Sequence, residues 1–223
     1  MTSRIPPVLR FSAPRLTTLL AALAAVSALS GCAPLILGGA MVGGSMMAVD
    51  RRTSGVQVDD QAIELKSIRR ISEVMGDKGY VSVTSYDRVV LLTGQVPTAA
   101  DKAMVEQAIS RIDGVRSIVN ELALTPFVAS FINHSNDTLI TSKVKASLID
   151  AKDLQSGAFK VVTERSIVYL MGRVTEREAN RAADIARGVS GVQKVVKVFE
   201  IVTEAELADL QPKPAAAPAA SKP

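Results

Sequence analysis

One cysteine, one histidine and no tryptophan in 223 residues remove most of the usual routes to chemistry. A lone thiol, Cys32, has no disulfide partner within the chain. With a single Cys and a single His, the Cys/His ligand sets of ordinary zinc sites cannot be assembled, so no metal and no cofactor is expected. His134 falls between two repeated units, where a solvated side chain is expected rather than a general base. The acidic residues are scattered with no motif that pairs them, and Gly38-Gly39 and Gly43-Gly44 neither follow a strand nor open a cofactor-binding fold. No catalytic residue is therefore expected, and the chain reads as a non-enzyme. Five Phe and three Tyr leave little to stack on bases, which argues against nucleic acid as a partner.

What is present begins with Leu29-Ser30-Gly31-Cys32. Upstream stand Arg4, Arg10 and Arg15 with no acidic residue, then a mostly apolar run from Leu16 to Leu29. That run has the length of a signal-peptide core and falls short of the ~20 residues of a spanning helix. A buried structural cysteine is the ordinary reading of a lone Cys, and an uncleaved anchor is a second one, because residues 33 to 47 prolong the apolar character. Their glycines oppose a continuous helix. The four residues resemble the lipobox of bacterial lipoproteins. That resemblance implies a leader at 1–31, acylation of Cys32 as the first mature residue, and several acyl chains. Each buried acyl CH₂ contributes ~0.8 kcal/mol, and stable anchoring takes more than one chain. Ala33, where Asp would retain the protein elsewhere, implies sorting to the outer membrane, with the bulk of the chain facing the periplasm. Loss of the leader leaves 23 basic against 22 acidic residues, so the whole-chain pI of 9.3 says little about partners.

Residues 32–58 are rich in Gly, Ala and Met and read as a tether; the tail, residues 204–223, turns from Gln211 onward to Pro, Ala, Lys and Ser and is expected to be disordered. Between them lies an internal repeat. Val89-Val90-Leu91-Leu92-Thr93-Gly94-Gln95-Val96 matches Ile167-Val168-Tyr169-Leu170-Met171-Gly172-Arg173-Val174 at an offset of 78. Asp113-Gly114-Val115 matches Ser190-Gly191-Val192 at 77, as Asp60 and Ile63 match Asp137 and Ile140. Two domains, 59–125 and 137–203, are expected, joined by a linker at 126–136.

Each copy predicts the order helix, strand, strand, helix, strand. Asp60 and Asp137 are placed at helix N-caps, followed by apolar stripes at Ile63, Ile68, Ile71 and Met75, and at Ile140, Val144 and Leu148. Strands are expected at 81–84 and 89–93, and at 159–163 and 167–171, with turns at Asp87-Arg88 and Glu164-Arg165. Ala-rich helices follow at 99–112 and 176–189, closed by Gly114 and Gly191. Third strands follow at 115–124 and 192–202. The fold class is α+β, with both helices of each copy on one face of a three-stranded mixed sheet. Gly94 and Gly172 are expected to need an unusual backbone conformation or to mark a close backbone approach.

The Leu-x-Gly-x-Val strand ends, the Ala-containing helix and the Gly-Val-x-x-Val strand starts resemble the BON domain, here in tandem αββαβ units. Together with the lipobox, the pattern is similar to that of dual-BON outer-membrane lipoproteins. The resemblance implies binding of anionic phospholipid, phosphatidylglycerol or cardiolipin, and a role in outer-membrane integrity.

The first helix of the second copy carries the candidate binding face. Ile140, Val144 and Leu148 supply a core stripe, which leaves Leu139, Ser142, Lys143, Ala146 and Ile149 on an adjacent face. Lys143, Lys145 and Lys152 flank this apolar strip. The equivalent positions of the first copy, Ala62, Leu65, Lys66, Arg69 and Ser72, are less apolar. From the residues alone, insertion into an anionic membrane surface and packing against the first domain or the linker are equally open; the BON resemblance favours lipid. The alternative function is a protein-binding adaptor for outer-membrane assembly proteins.

Overall fold

A computed structural model of the chain describes residues 50–125 and 132–210. Helix α1 (Ser54–Met75) begins where the Thr53 hydroxyl accepts the Val56 N–H at 3.3 Å, satisfying one of the free donors of the first turn. Strands β1 (Tyr80–Tyr86) and β2 (Val89–Val96) form an antiparallel hairpin in register from Tyr80↔Gln95 to Tyr86↔Val89. Helix α2 (Ala99–Ser110) crosses back, and β3 (Ser117–Asn120) and β4 (Ala123–Leu124) lie parallel to β2. The second copy repeats this with α3 (Ile132–Asp150), β5 (Lys160–Glu164), β6 (Ile167–Val174), α4 (Glu176–Arg187) and β7 (Lys194–Ile201), in the sheet order β5-β6-β7. The chain closes on α5 (Glu204–Leu210).

Strand alternation divides the apolar residues between two faces. On β2, Val90, Leu92 and Val96 turn to the helices and join Ile63, Ile71, Met75, Val105 and Ile109; on β6, Val168, Leu170 and Val174 join Ile140, Val144, Leu148 and the alanines of α4. Leu91, Tyr169 and Met171 point the other way. With Tyr86 and flanking valines of both copies, they form a third buried cluster between the two sheets. The two domains therefore pack sheet against sheet, in four layers α/β/β/α. Polar contacts frame this seam: Lys160 Nζ donates to Glu64 Oε1 at 3.0 Å and to Ser85 C=O at 3.1 Å, and Arg116 meets Glu200 at 2.7 Å.

Several expectations need correction. Asp60 and Asp137 are not N-caps. Both are buried inside their helices, where each carboxylate accepts two backbone N–H groups of the following hairpin turn: Asp87 and Arg88 at 2.8 and 2.7 Å, Arg165 and Ser166 at 2.7 and 2.8 Å. Those turn residues have positive φ, 50° and 64° in the first copy, 51° and 62° in the second, so the second turn is Arg165-Ser166, one residue later than expected. Ile68 is 56 % exposed; Ser67 takes the core position that Val144 holds in the second copy. Gly114 and Gly191 do have positive φ, yet they sit in the turns beyond the helix ends at Ser110 and Arg187. The third strand of the first copy is interrupted at Glu121-Leu122, although its register to β2 is the same on both sides, Leu92↔Asn120 and Gln95↔Ala123, and Leu122 faces the core with Ile118. Residues 204–210, expected to lack structure, form α5 with Leu207 buried. A Cβ on Gly94 would lie 2.1 Å from the Tyr80 carbonyl oxygen, and one on Gly172 2.3 Å from that of Ala158, so both glycines mark close backbone approach.

The tether, expected to run to residue 58, ends earlier and is held. Arg51 reaches into the second domain. Its guanidinium makes a bidentate pair with Glu178 at 2.8 and 2.8 Å, donates to the Arg173 carbonyl at 2.9 Å, and meets Gln155 Oε1 at 3.2 and 3.3 Å. Glu178 is also the capping-box residue of α4, accepting from the Thr175 N–H at 3.0 Å. Arg52 turns the other way, pairing with Asp50 and Asp60 and lying 4.1 Å over the Tyr86 ring.

Candidate membrane-docking site

Helix α3 owes its orientation to three residues four apart: Ile140, Val144 and Leu148 are each almost fully buried under β5 and β6. A helix so seated must show its opposite face to solvent. Leu139 is 52 % and Ile149 67 % exposed, and Ser142, Lys143, Lys145 and Ala146 are exposed between them. All six expected residues lie on the outer surface of one helix, with Lys152 exposed just beyond its end. The strip is not used against the first domain, which meets the second through the sheets. Ser142 is engaged locally, its hydroxyl donating to the Thr138 carbonyl at 2.9 Å, so it offers less to a ligand than its position suggests.

Beside the strip, a groove of ≈ 560 Å³ runs between α3 and the end of α4, lined by Lys143, Ala146, Ser147, Ile185 and Gly188, with Asp184 at its rim. Its lining mixes polar and charged groups, Lys143, Ser147 and Asp184, with the apolar Ala146 and Ile185. Lys143, Lys145 and Lys152 make no ion pair with any described residue. Their charge is free to act outward.

The first domain offers a partial contrast. Its α1 also exposes apolar side chains, Val58 at 64 %, Leu65 at 70 % and Ile68 at 56 %, more than its sequence positions suggested. Its cations differ: Arg69 and Arg70 pair with Glu73 at 3.3 and 2.9 Å, and Arg88 with Asp59 at 2.7 Å. The two helices differ in part by the pairing of charge: Arg69 and Arg70 share the one Glu73 carboxylate, while Lys66 is exposed with no ion pair to a described residue.

Cys32 lies outside the described residues, as do the linker residues 126–131, and His134 has no described side chain. Among the described residues no helix is long and apolar enough to cross a membrane, and no group of His, Cys, Asp and Glu is placed to hold a metal ion.

Comparison with known proteins matches the two structural units. The BON domain family fits residues 59–126 and 136–203. The chain is 37 % identical over 175 residues to the outer membrane lipoprotein DolP of Haemophilus influenzae, covering 77 % of this chain and 89 % of that protein. It is 33 % identical to the 21 kDa hemolysin of Actinobacillus pleuropneumoniae, over 69 % of this chain and 80 % of that one. It is 29 % identical to the osmotically-inducible protein Y of Escherichia coli, over 62 % and 70 % respectively. With two repeats matched along their full sheet-and-helix units and these relatives spanning most of its length, the chain belongs to the BON domain family, as a tandem-BON outer-membrane lipoprotein.

Proposed function

We propose that the second BON domain docks on anionic phospholipid through the outer face of α3, while acylated Cys32 anchors the protein in the outer membrane with its domains facing the periplasm. The protein is read as a non-enzyme that supports outer-membrane integrity by choosing where in the membrane it accumulates. The observation that carries this is the exposed strip Leu139, Ala146, Ile149 beside unpaired Lys143, Lys145 and Lys152. Burying Leu139 or Ile149 in the acyl boundary contributes about 1.5–3 kcal/mol each. Each lysine near an anionic surface adds about 1 kcal/mol. After the cost of orienting the protein, that sum suits weak, reversible docking, and the acyl chains already supply attachment.

Vesicle co-sedimentation of the chain from Asp50 onward, free of the acyl anchor, tests it. Binding is expected to phosphatidylglycerol or cardiolipin vesicles and not to phosphatidylcholine. Leu139→Glu and Ile149→Glu should each abolish it, and Leu65→Glu on α1 should not. Failure to bind either vesicle, or equal sensitivity to Leu65→Glu, would sink the reading and favour an adaptor for assembly proteins.

A further inference from the structure

The two copies differ at one sheet edge in a way their shared fold does not require. In the first domain that edge is closed. β3 and β4 are only four and two residues long, Asn120 Nδ2 donates to the Lys102 carbonyl at 3.2 Å and to Glu106 at 2.9 Å, and Lys102 Nζ donates to the outward Leu122 carbonyl at 2.9 Å. Short strands, breaks and side-chain cover are the usual means by which proteins blunt an edge. Among the described residues the second domain shows no such break and no side-chain bond to its outward backbone, and only Lys194 and Lys197 guard the strand. β7 runs eight residues without interruption, each paired with β6, and is the last strand of its sheet.

Which groups face outward follows from the ladder. In a parallel pair, alternate residues of a strand bond to the neighbour. The Val202 N–H donates to the Val174 carbonyl at 3.0 Å, which turns the even-numbered residues to β6 and leaves the backbone groups of Val195, Lys197, Phe199 and Ile201 at the edge. The side chains of Lys197, Phe199 and Ile201 also line a groove of ≈ 380 Å³ against α4, completed by Glu176, Ala179 and Asn180. Phe199 is fixed as its floor by an edge-to-face contact with Phe159, ring centroids 6.0 Å apart, and Ile201 is 56 % exposed beside it. Lys194 and Lys197 give the strand a basic character, while its acid, Glu200, is occupied by Arg116 on the interdomain side.

We propose that this edge takes up an extended peptide of another protein as an added antiparallel strand. One apolar side chain of the peptide enters the α4/β7 groove, and acidic residues flank it opposite Lys194 and Lys197. Main-chain hydrogen bonds to Lys197, Phe199 and Ile201 supply affinity, and the groove supplies selectivity. The site lies on β7 and α4, apart from the lipid-facing residues of α3, so the protein can hold membrane and peptide together.

The test uses the full-length acylated protein in detergent micelles with a fluorescein-labelled heptapeptide alternating glutamate and valine, read by anisotropy and by hydrogen exchange. Saturable binding is expected, with exchange slowed across residues 194–201 and unchanged across 117–124. Lys197→Pro removes one outward N–H while sparing the ladder to β6. Ile201→Glu spoils the groove without touching the backbone. Each should weaken peptide binding about tenfold, the loss of roughly one good hydrogen bond or contact, with vesicle binding and melting temperature retained. The proposal is overturned by absence of saturable binding at millimolar peptide, by protection elsewhere, or by undiminished binding in both variants. Protection of 194–201 that rises with protein concentration alone would also overturn it, because the edge would then pair with a second copy.

Discussion

Replacing Arg51 by alanine should destabilise the second domain although Arg51 precedes the first. The guanidinium is 3 % exposed and the Glu178 carboxylate 4 %. Deleting it removes five hydrogen bonds and leaves Glu178 buried with only the Thr175 N–H at 3.0 Å. Breaking a buried pair by removing one partner costs about 3–5 kcal/mol, because the remaining charge keeps its desolvation penalty. Against a typical total of about 5–15 kcal/mol, that is a large fraction. Arg51→Met with Glu178→Gln removes both charges together; glutamine keeps the capping-box bond to Thr175, so the double variant should recover most of the loss. Urea denaturation of the chain from Asp50 onward, followed by far-ultraviolet circular dichroism because there is no tryptophan to report, measures each step. A chain starting at Ser54 should lose more than Arg51→Ala, because the Arg52–Asp60 pair and the Thr53 cap go with the latch. A loss below about 1 kcal/mol, the value of an exposed ion pair, would refute the buried-latch reasoning. So would a double variant as damaged as the single one.

Acid should weaken the fold through the same residues. Desolvation pushes the Asp60 and Glu178 carboxyls up, but hydrogen bonds, led by Ser85 for Asp60 and by Arg51 for Glu178, outweigh it and hold both below their ordinary values of 3.8 and 4.5. Their contribution is therefore complete above those values and lost as pH falls through the depressed folded ones, and Asp60→Asn should flatten this slope in a pH series of urea midpoints. Gly94→Ala and Gly172→Ala should each cost about 1–3 kcal/mol by forcing a Cβ onto a backbone oxygen, Gly94 the more because its φ is also positive, at 117°; equal stability to the parent in thermal melts would contradict this. Cys32→Ala should accumulate as an uncleaved precursor on immunoblots of membrane fractions, and normal maturation would rule out acylation at that residue.

The repeat, the element order and the core stripe of α3 were legible because they are written locally: Ile140, Val144 and Leu148 are four apart, and β2 and β6 are short apolar runs bounded by turn residues. What was not legible depends on pairing across distance. Asp60 and Asp137 have the composition of N-caps, yet they serve turns 27 to 29 residues away in sequence. Their nearly equal spacing to the two turns, 27 and 28 residues to the first turn residue, was an available signal. The apolar residues on the second face of β2 and β6, Leu91, Tyr169 and Met171, pointed to a covered sheet, but not to the other domain as the cover. Arg51 looked like part of a charged tether, since nothing local announces that Glu178 lies 127 residues on. The lysines around α3 and the arginines around α1 look alike in sequence, and only folding reveals that Arg69 and Arg70 share the Glu73 carboxylate.

The four-layer packing bears on how both exposed strips can be used. With the sheets face to face, the helices of the two domains form the opposite outer layers, so one flat bilayer can meet the face of α3 or that of α1, not both. Arg51 weighs on which. It is bonded to Gln155, five residues past the end of α3, and to Arg173 and Glu178 beside it, so the chain leaves toward Cys32 from the second domain's side although its next residues build the first. At about 3.3–3.6 Å per residue, the stretch between Cys32 and Asp50 spans at most roughly 60 Å. For the anchored protein proposed above, a chain held at Arg51 should favour the second domain's face, with Leu139 and Ile149, over Leu65, which is set in the far layer. The Arg51 latch thus favours the same face as the unpaired lysines, and the two are independent in origin, one a covalent path held by a buried ion pair and the other an absence of neutralising acids. In the proposed docking, Val58, Leu65 and Ile68 lie in the layer turned away from the bilayer, and cutting the latch by Arg51→Ala should loosen docking by the anchored protein while leaving the affinity of the unanchored α3 surface for anionic vesicles unchanged.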